Sequence, residues 1–229
     1  MLHPPLVRQH VKRDRFLGRV ARAGRVYGAV SEQGLTRVPS RQLRCREVSL
    51  LWSDEADAER WAATACPRPR VRSYRLCELL SGVLPDLAQH HRLVGLDTSG
   101  RDGPVEIDPT DFAGRLRLAS LDAFIDDVRG SAAVFTLEGS DGPALLVSKA
   151  RPDVLVLPCW ADPGEAHARI EGPWRDMLVI EMPLAAFLQE RLAWLKRYGH
   201  LVGPDYKGGP GALELQPDAL QARFASAVS

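Results

Sequence analysis

The chain has 229 residues, 45% of them apolar and 26% charged, a globular composition that excludes a disordered or fibrous polymer. No run approaches the roughly 20 apolar residues of a membrane span, and the first residues hold no apolar core of signal-peptide length, so a soluble, cytoplasmic protein is expected. The net charge of +1 hides an asymmetry: residues 1–120 carry 20 Lys and Arg against 14 Asp and Glu, net +6, and the rest carry 10 against 15, net −5.

Residues 5–23 are predicted as the first helix, because Val7, Val11, Phe16, Leu17 and Val20 recur at helical spacing and Pro4-Pro5 suits a helix start. Gly24 ends it as a left-handed cap. Val26–Val30 and Leu35–Val38 read as a hairpin turning through Ser31-Glu32-Gln33-Gly34. A third strand, Val48–Trp52, leads to Asp54, a natural N-cap, and the helix behind it carries a narrow apolar stripe of Ala58, Trp61 and Ala62. A short strand at Val71–Tyr74 precedes the longest helix, about 76–91, which Pro85 is expected to kink or split. Leu93–Leu96 give a further strand, then comes a glycine-rich turn, and a closing helix starts at Asp108-Pro109.

The same order returns 108 positions later. Phe16 maps to Phe124, Val20 to Val128, Trp52 to Trp160, Asp54 to Asp162, Leu93-Val94-Gly95 to Leu201-Val202-Gly203, Asp97 to Asp205, Glu106 to Glu214 and Pro109 to Pro217. An offset held over so long a stretch marks a tandem duplication. Each copy is an α+β unit, helices against a small sheet, over residues 1–117 and 118–229. Ala193 stands where the first copy has Pro85, so the second long helix should run unbroken. Only Arg115 to Asp122 separate the copies, and the two are expected to pack directly on each other. Their opposite charges fit two different partners or mutual attraction, and equally the drift of solvated faces.

A strand ending in Leu51-Trp52-Ser53-Asp54, then Ala58-Glu59, the leucines Leu79, Leu80 and Leu84, and a Leu93-Val94-Gly95 strand resemble a bacterial family catalogued as domain of unknown function 2750. The second copy departs from the pattern, with Ala161 for the serine and His167 for Glu59. The resemblance covers nearly the whole chain and implies no activity, substrate or catalytic residue.

Chemistry-bearing motifs are scarce. The histidines (His3, His10, His90, His91, His167, His200) lie in no metal-ligand spacing, and the four cysteines show no CxxC pair and do not recur between copies, which suits reduced thiols. There is no GxSxG, no P-loop and no GxGxxG after a strand. Gly208-Gly209-Pro210-Gly211 reads as a turn, as does its first-copy partner Gly100-Arg101-Asp102-Gly103. Asp54/Asp57 and Asp162/Glu165 fit a capping box, and Trp52 and Trp160 fit the core better than a ligand stack.

No catalytic residue, metal site or cofactor is assigned. The reading is of a non-enzymatic protein-binding module, in its most concrete form an immunity-type protein that binds and blocks a toxin. The first helix carries Arg8, Lys12, Arg15 and Arg19 as the candidate partner-binding residues. A nucleic-acid partner is disfavoured, because aromatic interleaving and glycine-rich loops are missing. The alternative is a small-molecule-binding protein or enzyme with a cleft between the repeats, using Asp97/Asp205 or the histidines.

Overall fold

The structure is a computed structural model that describes residues 4–65, 69–98, 103–206 and 212–226, and of residues 4–8 the backbone alone. The chain forms two compact units, Met1–Ser120 and Leu121–Ser229.

In the first unit, helix α1 (Pro4–Ala23) buries Phe16, Leu17, Val20 and Ala21 and turns Lys12, Arg15, Arg19 and Arg22 to solvent. Gly24, at φ 66°, stops it in the left-handed conformation that glycine adopts without a side-chain clash, and its amide bonds the Val20 carbonyl at 3.0 Å. Then follow β1 (Arg25–Ser31), β2 (Gly34–Leu35), β3 (Arg37–Pro39) and β4 (Glu47–Trp52). Helix α2 (Glu55–Thr64) starts at Asp54, whose carboxylate accepts from the Asp57 amide. Next come β5 (Arg70–Arg75), a helical run of α3 (Leu76–Glu78), a π turn (Leu79–Val83) and α4 (Leu84–Gln89), and then β6 (Leu93–Leu96) and β7 (Val105–Ile107).

The sheet runs β2-β1-β4-β6-β7, with β5 on the other edge of β1 and β3 beside β4. Strands β4 and β6 are parallel, and every other pair is antiparallel. Because side chains alternate along a strand, β4 feeds two cores. Leu51 joins Phe16, Val20, Leu79, Leu84, Val94 and Phe112 on one face, while Val48, Leu50 and Trp52 join Ala29, Ala58 and Leu93 on the other. Gly95 has no room for a side chain. A Cβ there would stand 2.6 Å from Val48 and 2.8 Å from Pro104, so the Leu-Val-Gly strand is a packing motif.

The second unit repeats this with β8 (Ala133–Gly139), β9 (Gly142–Pro143), β10 (Leu146–Val147), β11 (Leu155–Cys159), α6 (Pro163–His167), β12 (Leu178–Pro183), α7 (Leu184–Ala186), a π turn (Phe187–Arg191), α8 (Leu192–Arg197), β13 (Leu201–Pro204) and α9 (Pro217–Ser226). Register repeats with the sequence offset. Tyr27 opposite Trp52 becomes Phe135 opposite Trp160, Ser49 opposite Val94 becomes Leu157 opposite Val202, and Val94 opposite Ile107 becomes Val202 opposite Leu215. The fold is α+β in two tandem copies.

Two expectations are corrected. Both long helices are interrupted, not the first alone. The Leu84 amide reaches back five residues to the Leu79 carbonyl, and the Leu192 amide does the same to Phe187. Leu79 and Leu84, like Phe187 and Leu192, are buried core residues five apart. A π turn brings a five-residue step back to the same face, so core spacing sets it, and Pro85 lies in the turn that follows. Secondly, no break separates closing and opening helices, because α5 runs unbroken over Pro109–Ser131. The copies also differ: the helix after the second tryptophan, α6, has five residues, against ten in α2, and a 3-10 turn at Gly172–Trp174 follows it.

Candidate functional site

Polar residues kept in both copies are the first candidates for a site. Asp97 sits just beyond the carboxyl end of β6, at φ 40°, and Asp205 matches it at φ 42°. One Asp97 oxygen accepts from the Ser53 amide and the other from the Ser53 hydroxyl, both at 2.8 Å. Asp205 accepts from the Ala161 amide at 3.2 Å. Burial pushes the Asp97 carboxyl up from its usual range, the Ser53 bonds pull it down, and Asp57 and Arg19 add smaller opposed effects. The carboxylate thus ties the ends of the parallel strands β4 and β6.

Glu106 and Glu214 do the same for a loop. Glu106 accepts from the Ser40 hydroxyl at 2.5 Å and the Arg41 amide at 2.8 Å; Glu214 accepts from Ser148 at 2.5 Å and the Lys149 amide at 3.0 Å. Each serine oxygen also accepts from two amides of the loop after it. Asp54 and Asp162 cap helices, and Asp57 pairs with Arg60. Trp52 and Trp160 are fully buried, and their indole N–H groups donate to the Thr98 and Tyr206 carbonyls at 3.2 and 3.1 Å. Neither ring face is open to a ligand.

The histidines separate. His90 Nδ1 lies 2.8 Å from the Asp86 carbonyl at a helix end, His167 Nδ1 lies 2.9 Å from the Pro163 carbonyl, and His200 packs edge-on against Trp194. His91 is in the left-handed conformation that Gly199 takes in the second copy. Among the described residues no group of three or more His, Cys, Asp or Glu could hold a metal ion. Cys45, Cys77 and Cys159 are unpaired, and burial pushes the Cys159 thiol well up. The glycine-rich turns at 99–102 and 207–211, and Cys66, lie outside the described residues.

An open cleft of about 230 Å³ is lined by His10, Arg13, Val105, Glu106, Asp108 and Asp111, among others. Its carboxylates are committed elsewhere: Glu106 to the loop, Asp108 to the Thr110 amide and Asp111 to Arg115. The cleft therefore presents no free acid–base pair.

What remains is a basic surface on the first unit. Lys12, Arg15, Arg19 and Arg22 form an exposed stripe on the side of α1 opposite its buried residues. The Arg8 side chain lies outside the described residues. Sequence reading missed a second basic group on the same unit. Arg25 on β1 stands directly opposite Arg75 on β5, and Arg70 and Arg72 lie on the same edge strand, all exposed. Arg72 stacks on the Tyr74 ring at 4.8 Å. Among the described residues, no carboxylate forms an ion pair with the guanidinium of Arg25, Arg70 or Arg75, although Glu78 takes the Arg75 amide. The signal was present in the repeat itself. At the offset of 108, Arg25, Arg70, Arg72 and Arg75 become Ala133, Leu178, Ile180 and Pro183.

The two units are thus α+β modules whose shared polar side chains hold backbone, and the first carries basic residues that its repeat does not match. The family described as Protein of unknown function (DUF2750) matches residues 13–116 and again 121–224, so the chain belongs to that family, in two tandem copies. No curated protein matches it. Among solved structures it is similar to Anabaena Tic22, a protein-transport protein, at 10% identity over 94% of this chain and 97% of that one, with a TM-score of 0.27. Tic22 from Plasmodium falciparum matches at 10% identity over 94% and 96%, with a TM-score of 0.25. At such scores the likeness carries no argument.

Proposed function

We propose that this protein is a non-enzymatic protein-binding module whose first copy offers its basic face to an acidic partner, as an immunity-type protein would hold a toxin. The supporting observation is the contrast between what the copies share and what they do not. Shared polar residues close loops, cap helices and tie strand ends. The exposed stripe of Lys12, Arg15 and Arg19 answers to Ser120, Ala123 and Asp127 in the second copy, so the fold does not require it. Exposed charges contribute little to stability, so such a stripe suits recognition and the steering of an oppositely charged partner. Three unpaired cysteines suit the reducing cytoplasm, and no described helix is long and apolar enough to cross a membrane.

The test uses the native partner captured with the purified chain. Reversing Lys12, Arg15 and Arg19 to glutamate should lower affinity at least about tenfold at low salt and erase most of its salt dependence. The melting temperature should move by only about a degree or two. Unchanged affinity removes this face from the interface. Turnover of a small metabolite, abolished by Asp97→Asn, would favour an enzyme instead.

A further inference from the structure

We infer that the outer edge of β5 is a docking rail for an extended acidic segment of the partner, which joins the first unit's sheet as one more strand. The inference rests on the protein-binding reading and says which element takes the ligand.

The edge is open: β5 pairs with β1, and no other strand among the described residues pairs with it. The phase of its ladder follows from one bond. The Leu76 amide donates to the Gly24 carbonyl at 3.1 Å, so antiparallel alternation turns the amides of Arg70, Arg72 and Tyr74 toward β1. Those of Val71, Ser73 and Arg75 point outward. Glu78 takes the Arg75 amide at 2.9 Å, which leaves Val71 and Ser73 facing away from the sheet.

The second copy has the same phase, with the Leu184 amide on the Ala132 carbonyl at 2.9 Å. There Pro183 occupies the outward position of Arg75, where a missing N–H costs the ladder nothing and blunts the edge. The first copy has no proline on β5. It has arginines instead, and one arrangement of them works against folding. Arg25 and Arg75 are register partners on the same face, and like charges directly opposite repel. Arginines along an open edge also reject a second copy of the same strand while admitting an acidic one. Backbone pairing calls for a polypeptide, which favours an acidic protein segment over nucleic acid.

The register predicts the ligand pattern. Arg75, Arg72 and Arg70 lie three and then two residues apart. An antiparallel segment facing them carries acidic residues in the order acid-x-x-acid-x-acid, with small or apolar residues between.

The probe is a capped peptide of threonine and valine with glutamates at its second, fifth and seventh positions, titrated into the full chain at low salt. It should bind, and moving the glutamates next to one another should weaken binding at least about fivefold. Ser73→Pro, which removes an outward amide, should weaken it at least about tenfold. So should Arg70→Glu with Arg75→Glu, in which the new Glu side chain opposite Arg25 relieves a repulsion. If Ser73→Pro fails to melt cooperatively, the charge pair decides. No binding, equal binding of the rearranged peptide, undiminished binding by the charge variant, or displacement by an equal charge of single-stranded oligonucleotide overturns the inference. If the charge pair leaves capture of the native partner intact while the α1 reversal abolishes it, the docking rail fails and the protein-binding reading stands. If neither affects capture, both fail.

Discussion

Asp97 is where a structural and a chemical role give different outcomes, so its replacement is the sharpest test of how the first unit is built. Three contributions can be separated. The carboxylate accepts two hydrogen bonds from Ser53, each at 2.8 Å, and bonds to a charged group contribute about 1.5–3 kcal/mol each when sheltered, less for a half-exposed group like this one. The backbone at φ 40° costs alanine about 1 kcal/mol more than glycine or asparagine. Asp97→Ala loses the bonds and carries the backbone penalty, and should destabilise by about 3 kcal/mol, roughly 6–12 °C in Tm for a chain of this size. Asp97→Gly should recover about 1 kcal/mol of that. Asp97→Asn keeps an acceptor for the Ser53 amide, turns a donor toward the Ser53 hydroxyl and tolerates the left-handed backbone, so it should melt near or above wild type at pH 7. The pH dependence has a definite sign. Burial, the largest influence on this group, raises the folded-state value above the ordinary 3.8, so the contribution that favours folding is present below 3.8 and is lost as pH rises through the raised value. Wild type should therefore fall in stability relative to Asp97→Asn across that window and run parallel to it above. Thermal melts of the four proteins from pH 3 to pH 8 read all of this. An Asp97→Ala protein that melts with wild type would refute the tie between β4 and β6.

Trp52→Ala and Trp160→Ala should each destabilise by about 3–5 kcal/mol, since both indoles are fully buried and hydrogen-bonded at equivalent positions; a variant melting within about a degree of wild type would reopen a ligand-stacking role. Alkylation followed by peptide mass mapping should label exposed Cys45 quickly and buried Cys159 only on unfolding, because burial disfavours its thiolate. Rapid labelling of Cys159 in the folded protein would contradict its place in the second core.

Much of this architecture was legible because the duplication doubles each weak signal. Trp52 at the end of one apolar strand is ambiguous, but Trp52 and Trp160 with aspartate two residues on in both copies fix a strand and a capped helix. The π turns were hidden because apolar spacing alone does not show which residues are buried. Leu80 and Val83 fill the stripe and mask the five-residue step from Leu79 to Leu84. Strand β7 escaped because three residues after a glycine-rich turn have no periodicity, and its second-copy counterpart is a single bridge at Leu215. The unbroken α5 could have been foreseen, since neither proline nor glycine stands between Arg115 and Asp122. The α1 stripe was visible from helical spacing alone. The β5 arginines were not, because their meaning depends on which residue faces which across the sheet.

Comparison within the chain separates folding from recognition without any relative. A residue kept at the offset of 108 has an explanation in bonds: Asp97 and Asp205 on the residue after the tryptophan, Glu106 and Glu214 on the loop serine, Gly95 and Gly203 where a Cβ has no room. These two-copy features account for the fold without the Arg25, Arg70 and Arg75 guanidinium groups, while Arg72 stacks on Tyr74. A charged pair that favoured folding would place a carboxylate opposite Arg25, and the second copy shows that a neutral solution, Ala133 opposite Pro183, fits the same ladder. Keeping Arg75 opposite Arg25 therefore sets a local cost against the folded state, and such a cost is offset when an acidic group arrives from outside. The two edges thus solve opposite problems on one backbone: Pro183 closes its edge to pairing, and the outward amides of β5, lined by arginine, leave the other open to an acidic strand.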